Sequence, residues 1–321
     1  MKREEKMRHP CLWSAAMIAL LAAAPALADD KLRVGTPEPT AFVFSTVDVG
    51  IGSGIFKKHG LDVERFDFAG GAKLNQAMAT GAIDISVATG SDILFVIKGS
   101  PDRAVAAFGN DLNSVSILAR TDDTVKTLDD VKGKTVGTTT AGSFTSWVAR
   151  RIAINHGWGP DGIKLAYLGQ MSGIYAGLFA KDVDVIVGTT ASALVMQKEG
   201  RVRILVKAGS EITNFIADVI YASEPMMKQH PDQLRRFLAA WFETMRFIKA
   251  NKAETLRLTQ KDTQLPPDVA GEIYDAETPS FFTDGHFDRT KLAAVKQALV
   301  DVGLIEKAPP DDQIIDESFL P

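Results

Sequence analysis

The chain has 321 residues, 45% of them hydrophobic, a net charge of −4 at pH 7 and one cysteine, Cys11. That length suits two lobes, each able to bury a core of its own, and the lack of any basic run argues against nucleic acid and anionic membrane surfaces as partners. A single thiol allows no intrachain disulfide, so packing must hold the fold in any redox compartment.

Residues 1–8 are charged, residues 12–21 are mostly apolar, and Ala26-Leu27-Ala28 before Asp29 has the small-x-small pattern of a signal-peptidase site. The apolar run falls short of the ~20 residues that span a bilayer. The pattern predicts a signal peptide over 1–28 and a periplasmic mature chain from Asp29. Cys11 precedes the apolar run and is no lipidation site. Removing Lys2, Arg3, Lys6 and Arg8 together with Glu4 and Glu5 moves the net charge from −4 to −6.

The mature chain opens with an alternating strand over 31–36, the turn Pro37-Glu38-Pro39-Thr40, a helix over 41–58 stopped by His59-Gly60, and a strand over 61–68. The same order recurs later. A strand over 135–137 leads into a loop of small polar residues over 138–142 and a helix with Ser143 as its N-cap, stopped by His156-Gly157. Val34-Gly35-Thr36 matches Val136-Gly137-Thr138. A closer match aligns 81–94 with 181–194, placing Asp84 on Asp184, Val87 on Val187, Thr89 on Thr189 and Leu94 on Leu194. Similarity at so long a period predicts two related αβ lobes and excludes a solenoid of short repeats.

Beyond Tyr221 the pattern turns helical. Pro231-Asp232 starts a helix with Leu234, Phe237, Leu238, Trp241, Met245 and Ile248 on one stripe, expected to pack on the first lobe. Pro266-Pro267-Asp268 and Asp288 begin further helices, the latter with Leu292, Val295 and Leu299 inward and Gly303 as stop. The tail over 306–321 is expected to be loosely held. His59, His156, His230 and His286 do not fall at metal-ligand spacing. Gly50-Ile51-Gly52-Ser53-Gly54 lacks the spacing and the preceding strand of a dinucleotide loop, and reads as close helix packing. No G-x-S-x-G elbow occurs, so no catalytic residue, metal or cofactor is expected.

Lobes of this kind bind ligands outside the carboxyl ends of their strands. The candidate binding residues are Thr36, Glu38, Thr40, Phe42, Gly71, Thr89, Gly90, Ser91 and Asn110 from the first lobe. The second contributes Thr139, Thr140, Ser143, Phe144, Gln170, Thr189 and Thr190. These loops hold no Lys or Arg and would grip a ligand with hydroxyls and amides. The loop before Ser143 is expected to leave backbone N–H groups free at the positive end of a helix dipole, suited to an anionic head. Ser143 and Thr140 serve equally well as caps. Phe144 is expected to flank the ligand, whereas Phe42 fits a ligand wall or the core. Glu38 and Asp111 are the acids of these loops; either one facing the cleft would favour an amine or heterocyclic N–H over a bare anion.

The stretches Gly-Ile-Phe-Lys-Lys-His-Gly-Leu-Asp-Val-Glu (54–64), Gly70-Gly71, Met-Ala-Thr-Gly-Ala-Ile-Asp (78–84) and Val-Lys-Gly-Lys-Thr-Val-Gly (131–137) resemble the exported substrate-binding proteins of ABC importers in the nitrate, sulfonate, taurine and pyrimidine-precursor group. The resemblance covers nearly the whole mature chain. It implies an α/β fold of the type II periplasmic binding protein kind, with two αβ lobes joined by two crossing strands and the C-terminal helices packed on the first lobe. Crossings near 116–121 and 214–221 give lobe 1 as 29–118 and 219–321, and lobe 2 as 119–218. It also implies a monomeric receptor for a small-molecule ligand, with an inner-membrane ABC permease as partner. A sulfonate or carboxylate type of ligand is the first expectation and a pyrimidine-like heterocycle the second. An enzyme of the pyrimidine-precursor synthase type is the competing class; those proteins carry a cysteine cluster and a cofactor lysine, and no cysteine follows Cys11. A ligand-sensing lobe for a signalling partner is a third reading.

Overall fold

The computed structural model describes residues 29–110, 112–159 and 161–321. The expected signal peptide and Asp111 lie outside the described residues. Among the described residues ten strands form two sheets of five. The first holds β1 (Asp30–Thr36), β2 (Leu61–Asp67), β3 (Ile85–Thr89), β4 (Asp102–Gly109) and β10 (Asp218–Ser223), in the order β2-β1-β3-β10-β4. The second holds β5 (Val115–Arg120), β6 (Thr135–Thr138), β7 (Lys164–Tyr167), β8 (Val185–Thr189) and β9 (Val202–Lys207), in the order β7-β6-β8-β5-β9.

The two sheets are copies of one plan. In each, the first two αβ units give three parallel strands, and an antiparallel strand beside the third comes from the far side of a crossing. The registers coincide, Val34 facing Ile85 and Val136 facing Val185. Asp84 accepts the N–H of Arg33 at 2.8 Å, and its match Asp184 accepts the N–H of Thr135 at 2.8 Å. His59 and His156 each meet a glutamate at 2.9 Å, Glu243 and Glu211 respectively. Gly60 and Gly157 both take the left-handed turn that ends a helix, with φ of 69° and 68°.

The crossings differ in position from the sequence expectation. The chain leaves the first sheet after β4 and enters the second at β5, so the passage lies at 110–114; β5, where a boundary at 118/119 was expected, pairs with β8 and β9 along its length. It returns after the short helix Ala208–Glu211, through 212–217 into β10. Strand pairing decides this, because β5 is as apolar as a strand of either sheet.

The expected helix over 41–58 is two helices, Thr46–Gly52 and Ile55–Lys58, broken at Gly54, whose φ is 75°. A Cβ on Gly50 would lie 2.3 Å from the Phe56 ring, which is the close packing expected of that glycine run. The helix Pro231–Ala250 buries its whole apolar stripe. Phe237 stacks on Phe56 at 5.4 Å, and Trp241 meets Phe108 edge-on at 5.1 Å. Each such side chain contributes about 1.5–3 kcal/mol relative to exposure, so the C-terminal helices are part of the first lobe's core. The tail is held, contrary to expectation: Ile315 bridges Ala104, Ala104 donates to the Ile314 carbonyl at 3.0 Å, and Ile314, Ile315 and Phe319 are buried.

The lobes are in contact. One apolar cluster runs from Leu74 and Met78 of the first lobe to Trp147 and Val185 of the second, and Trp147 stacks on Phe215 of the return crossing at 4.4 Å. Lys198 of the second lobe meets Asp268 of the C-terminal helices at 2.6 Å, and Arg151 meets Asp301 at 2.6 Å. Among the described residues no helix is long and apolar enough to cross a membrane.

Candidate ligand-binding cleft

The parallel strands of both sheets end their carboxyl edges on a shared cleft, and a cavity of about 60 Å³ lies there. On a scale where one water needs ~10–15 Å³, this holds a small group. The first lobe lines it with Glu38, Gly71, Thr89, Asp92 and Asp218, and the second with Thr139, Ser143, Phe144, Met171 and Thr189. Ala41, Val43, Phe44, Leu112 and Val115 add apolar wall. The lobes approach closely beside it: a Cβ on Gly70 would stand 3.1 Å from the Thr139 hydroxyl.

Among the described residues three carboxylates line the cavity, and no Lys, Arg or His does. Asp92 is only 6% exposed. One of its oxygens accepts the Thr89 N–H at 3.2 Å and the Thr89 hydroxyl at 3.1 Å, while the other is buried without a partner. Burial pushes its pKa up to about 6; the two bonds from Thr89 oppose the shift and the charge of Asp102 adds to it. Glu38 accepts the N–H of Thr40 at 3.1 Å and its hydroxyl at 2.8 Å. Burial raises the Glu38 pKa, again against hydrogen bonds from Thr40. Asp218 is 6% exposed at the start of β10. The charge of Arg65 acts on Glu38, but its guanidinium is engaged by Asp48, Asp67 and the Pro39 carbonyl.

The second lobe faces these acids with hydroxyls that satisfy one another. Thr139 donates to Ser143 at 2.7 Å, and Thr145 lies 2.9 Å from Thr139 and 3.1 Å from Ser143. Two of the loop's backbone donors are used internally. The Thr139 N–H goes to Thr145 at 2.9 Å and the Thr140 N–H to Ser143 at 3.3 Å. For these two amides the structure departs from the expectation of N–H groups left free for an anion, because a run of Thr and Ser supplies its own acceptors. Ser143 is the N-cap of the helix Phe144–Asn155, accepting from Ser146.

A model of the family described as "NMT1/THI5 like" matches residues 42–255, more than half of the chain. The chain belongs to this NMT1/THI5-like family. Among curated proteins no sequence matches it. Among solved structures it is similar to the alkanesulfonate-binding protein SsuA from Xanthomonas axonopodis pv. citri bound to MOPS, with a TM-score of 0.77 and 16% identity over 89% of this chain and 98% of that one. It is also similar to the periplasmic aliphatic sulphonate binding protein SsuA from Escherichia coli, with a TM-score of 0.72 and 18% identity over 89% and 92%. The desulfurization enzyme DSZB gives a TM-score of 0.63 at 16% identity over 90% and 97%. At these identities the likeness establishes the periplasmic binding protein fold.

Of the residues singled out from sequence, this NMT1/THI5-like chain brings Glu38, Gly71, Thr89, Thr139, Ser143, Phe144 and Thr189 to the cavity. Thr40 acts through Glu38. Gln170 lies with Thr40 on an adjoining chamber. The others have local duties. Thr36 donates to Asp67 at 2.6 Å, Ser91 meets Thr89 at 3.0 Å, and Thr190 meets Ser116 at 2.7 Å. Gly90 sits so close to the crossing that a Cβ would fall 1.9 Å from the Ile216 carbonyl oxygen. Thr140 keeps its hydroxyl buried without a partner, and Asn110 is half-buried beside the first crossing. Phe42 is a core residue, packed against Tyr274 and Phe281 with centroids at 6.1 and 6.4 Å; aromatic partners from the C-terminal helices claim it.

Sequence reasoning missed Asp92 and Asp218. Asp92 carried a signal, the Thr89-x-x-Asp92 spacing of a capping box, which names a cap and gives no hint of a cavity. Asp218 carried another, a lone acid in the apolar run 215–221.

Proposed function

We propose that this chain is a non-enzymatic periplasmic solute receptor, whose lobes close over a small polar organic molecule and deliver it to an ABC permease of the inner membrane. The observation that carries the ligand class is the pair Glu38 and Asp92 beside a cavity at which no base stands among the described residues. A bare sulfonate or carboxylate would face like charge; two unit charges 4 Å apart repel by about 4 kcal/mol at an effective dielectric constant of 20. A group rich in N–H donors would satisfy the same carboxylates. A pyrimidine-like heterocycle or an amine therefore fits better than a sulfonate or carboxylate head.

Support for a receptor comes from structural relatives described as alkanesulfonate- and sulphonate-binding proteins. The expected export signal and the lack of any cysteine after Cys11 weigh against an enzyme of the pyrimidine-precursor synthase type. The DSZB likeness keeps an enzyme on this fold as the competing reading. Melting curves with aminopyrimidines, small amines and sulfonates test the choice. A ligand at 100 times its dissociation constant stabilises the folded state by about 2.7 kcal/mol, a readable shift. The N–H donors should raise the melting temperature and the sulfonates should not. Conversion of any of these compounds to a product would overturn the receptor reading.

A further inference from the structure

Away from the cleft the lobes are joined by charge. Lys198 of the second lobe meets Asp268 of the first at 2.6 Å, and Arg151 of the second meets Asp301 of the first at 2.6 Å. None of these four residues lines the cavity or its adjoining chamber. The two pairs stand on opposite faces of the second sheet, because neighbouring residues of a strand point to opposite sides. The helix Phe144–Asn155, which carries Arg151, packs on the face bearing Val185 and Val187 of β8, whereas the helix Thr190–Lys198 packs on the face bearing Ile186. A tether on one face alone would leave the lobe free to pivot about it; one on each face opposes rotation in either sense. Arg151 also lies one turn past Trp147, whose ring stacks on Phe215 of the return crossing at 4.4 Å, so motion at that crossing carries Arg151 with it.

Lys198 ends its helix and Asp268 lies in the first turn of Pro267–Glu277, positions where a helix dipole favours those charges. Asp301 is the last residue of Arg289–Asp301, where the dipole disfavours an acid. Gln297 and Arg151 offset that cost. The Asp268 carboxyl is held below the ordinary aspartate value first by its bond from Lys198, and that of Asp301 by Gln297 and then Arg151. Both pairs therefore keep their charge across neutral pH, and dissolved salt is the variable that acts on them. All four side chains reach solvent, from 24% exposed for Arg151 to 68% for Asp268. We propose that Lys198–Asp268 and Arg151–Asp301 form a salt-sensitive clasp that sets the balance between closed and open lobes, so that ionic strength controls the closed fraction and with it the apparent affinity of the cleft. The clasp needs only the two-lobed fold and acts whichever molecule the cleft takes. Exposed pairs are individually weak; together these should change the closed-to-open ratio by about three- to tenfold. The Debye length falls from ~30 Å at 0.01 M salt to ~3 Å at 1 M, which removes most of that bias.

Small-angle X-ray scattering of the empty protein at about 0.01 M and about 1 M NaCl tests the clasp. The parent should be more compact at low salt, its closed-to-open ratio falling by about three- to tenfold at high salt. Lys198→Met combined with Arg151→Met removes both cations and keeps side-chain bulk, and this protein should match the parent's high-salt scattering at both concentrations. Arg151→Asp sets two acids against each other and should open the low-salt form. Adding Asp301→Arg should restore compactness, because the pair is remade with its charges exchanged and a cation suits that helix end. Scattering of the parent that does not change with salt, a double Met variant that responds as the parent does, or an Asp301→Arg change that fails to rescue Arg151→Asp would each overturn the clasp. Any of these leaves the receptor reading standing, since no ligand enters the measurement.

Discussion

Asp92 takes both hydrogen bonds from Thr89, N–H at 3.2 Å and hydroxyl at 3.1 Å, on one oxygen and keeps its other oxygen buried and unpartnered. A carboxylate so placed is more than a cap, since a cap needs one acceptor and a neutral side chain supplies it. A charge kept out of water without a counter-ion weakens the fold, and a charge facing the cavity is available to a cation or N–H donor.

Asp92→Asn should therefore separate the two roles. The amide oxygen can still accept from Thr89, while the buried charge is gone. The pKa rise from 3.8 to about 6 corresponds to roughly 3 kcal/mol at most, so urea unfolding at pH 7.5 should show the empty variant more stable by roughly 1–3 kcal/mol. Affinity for an amine or aminopyrimidine should fall by about tenfold or more, the worth of a hydrogen bond to a charged group. Unchanged affinity would mean that Asp92 faces away from the ligand.

The pH profile follows from the same group. A folded pKa above the unfolded value means that the folded state holds the proton more tightly. The stabilisation is full below about 4 and is lost as pH rises through about 6. Burial raises Glu38 and Asp102 in the same direction and pushes Asp48 to about 6 despite Arg65. The empty protein should melt higher at pH 5 than at pH 7.5, while affinity for an N–H-donating ligand should move the opposite way, because protonation removes the charge it binds. A flat melting profile between these values contradicts the assignment.

Two glycine substitutions should act with opposite sign. Gly90→Ala places a Cβ 1.9 Å from the backbone oxygen of Ile216, at the return crossing. Backbone cannot yield as a side chain can, so a loss of about 2–4 kcal/mol is expected. Gly271 lies within the helix Pro267–Glu277 with nothing within 4 Å of its would-be Cβ. Gly271→Ala should stabilise by about 0.5–1 kcal/mol. Denaturant midpoints of the pair check both.

Ser143→Ala distinguishes a cap from a ligand contact. It removes the acceptor for the Ser146 and Thr140 N–H groups and a member of the Thr139–Thr145 hydroxyl cluster. A stability loss of about 1 kcal/mol is expected, with ligand affinity within about threefold. The reverse pattern, affinity lost at an unchanged melting temperature, would make Ser143 a direct contact.

Much of the architecture was legible in the sequence, because caps, helix stops and strand periodicity depend on residues close along the chain. The Ser143 cap, the paired His-Gly stops and the Asp84–Asp184 match are of this kind, and together they revealed the two lobes. The stripe from Leu234 to Ile248 showed a buried face by its spacing alone. Other features had no local signature. The apolar run 115–120 could join either sheet, and only pairing with β8 and β9 assigned it. Phe42 and Phe144 look alike in sequence; Tyr274 and Phe281, more than two hundred positions on, draw one into the core.

The sequence by itself determined the α/β class, the duplicated lobe and the hydroxyl-rich strand ends. Tertiary structure alone decided the character of the cleft. Glu38, Asp92 and Asp218 stand far apart in the chain, and each reads locally as a turn, a cap or a strand edge. Their shared effect arises from convergence on one small space shielded from water, where like charges weigh most.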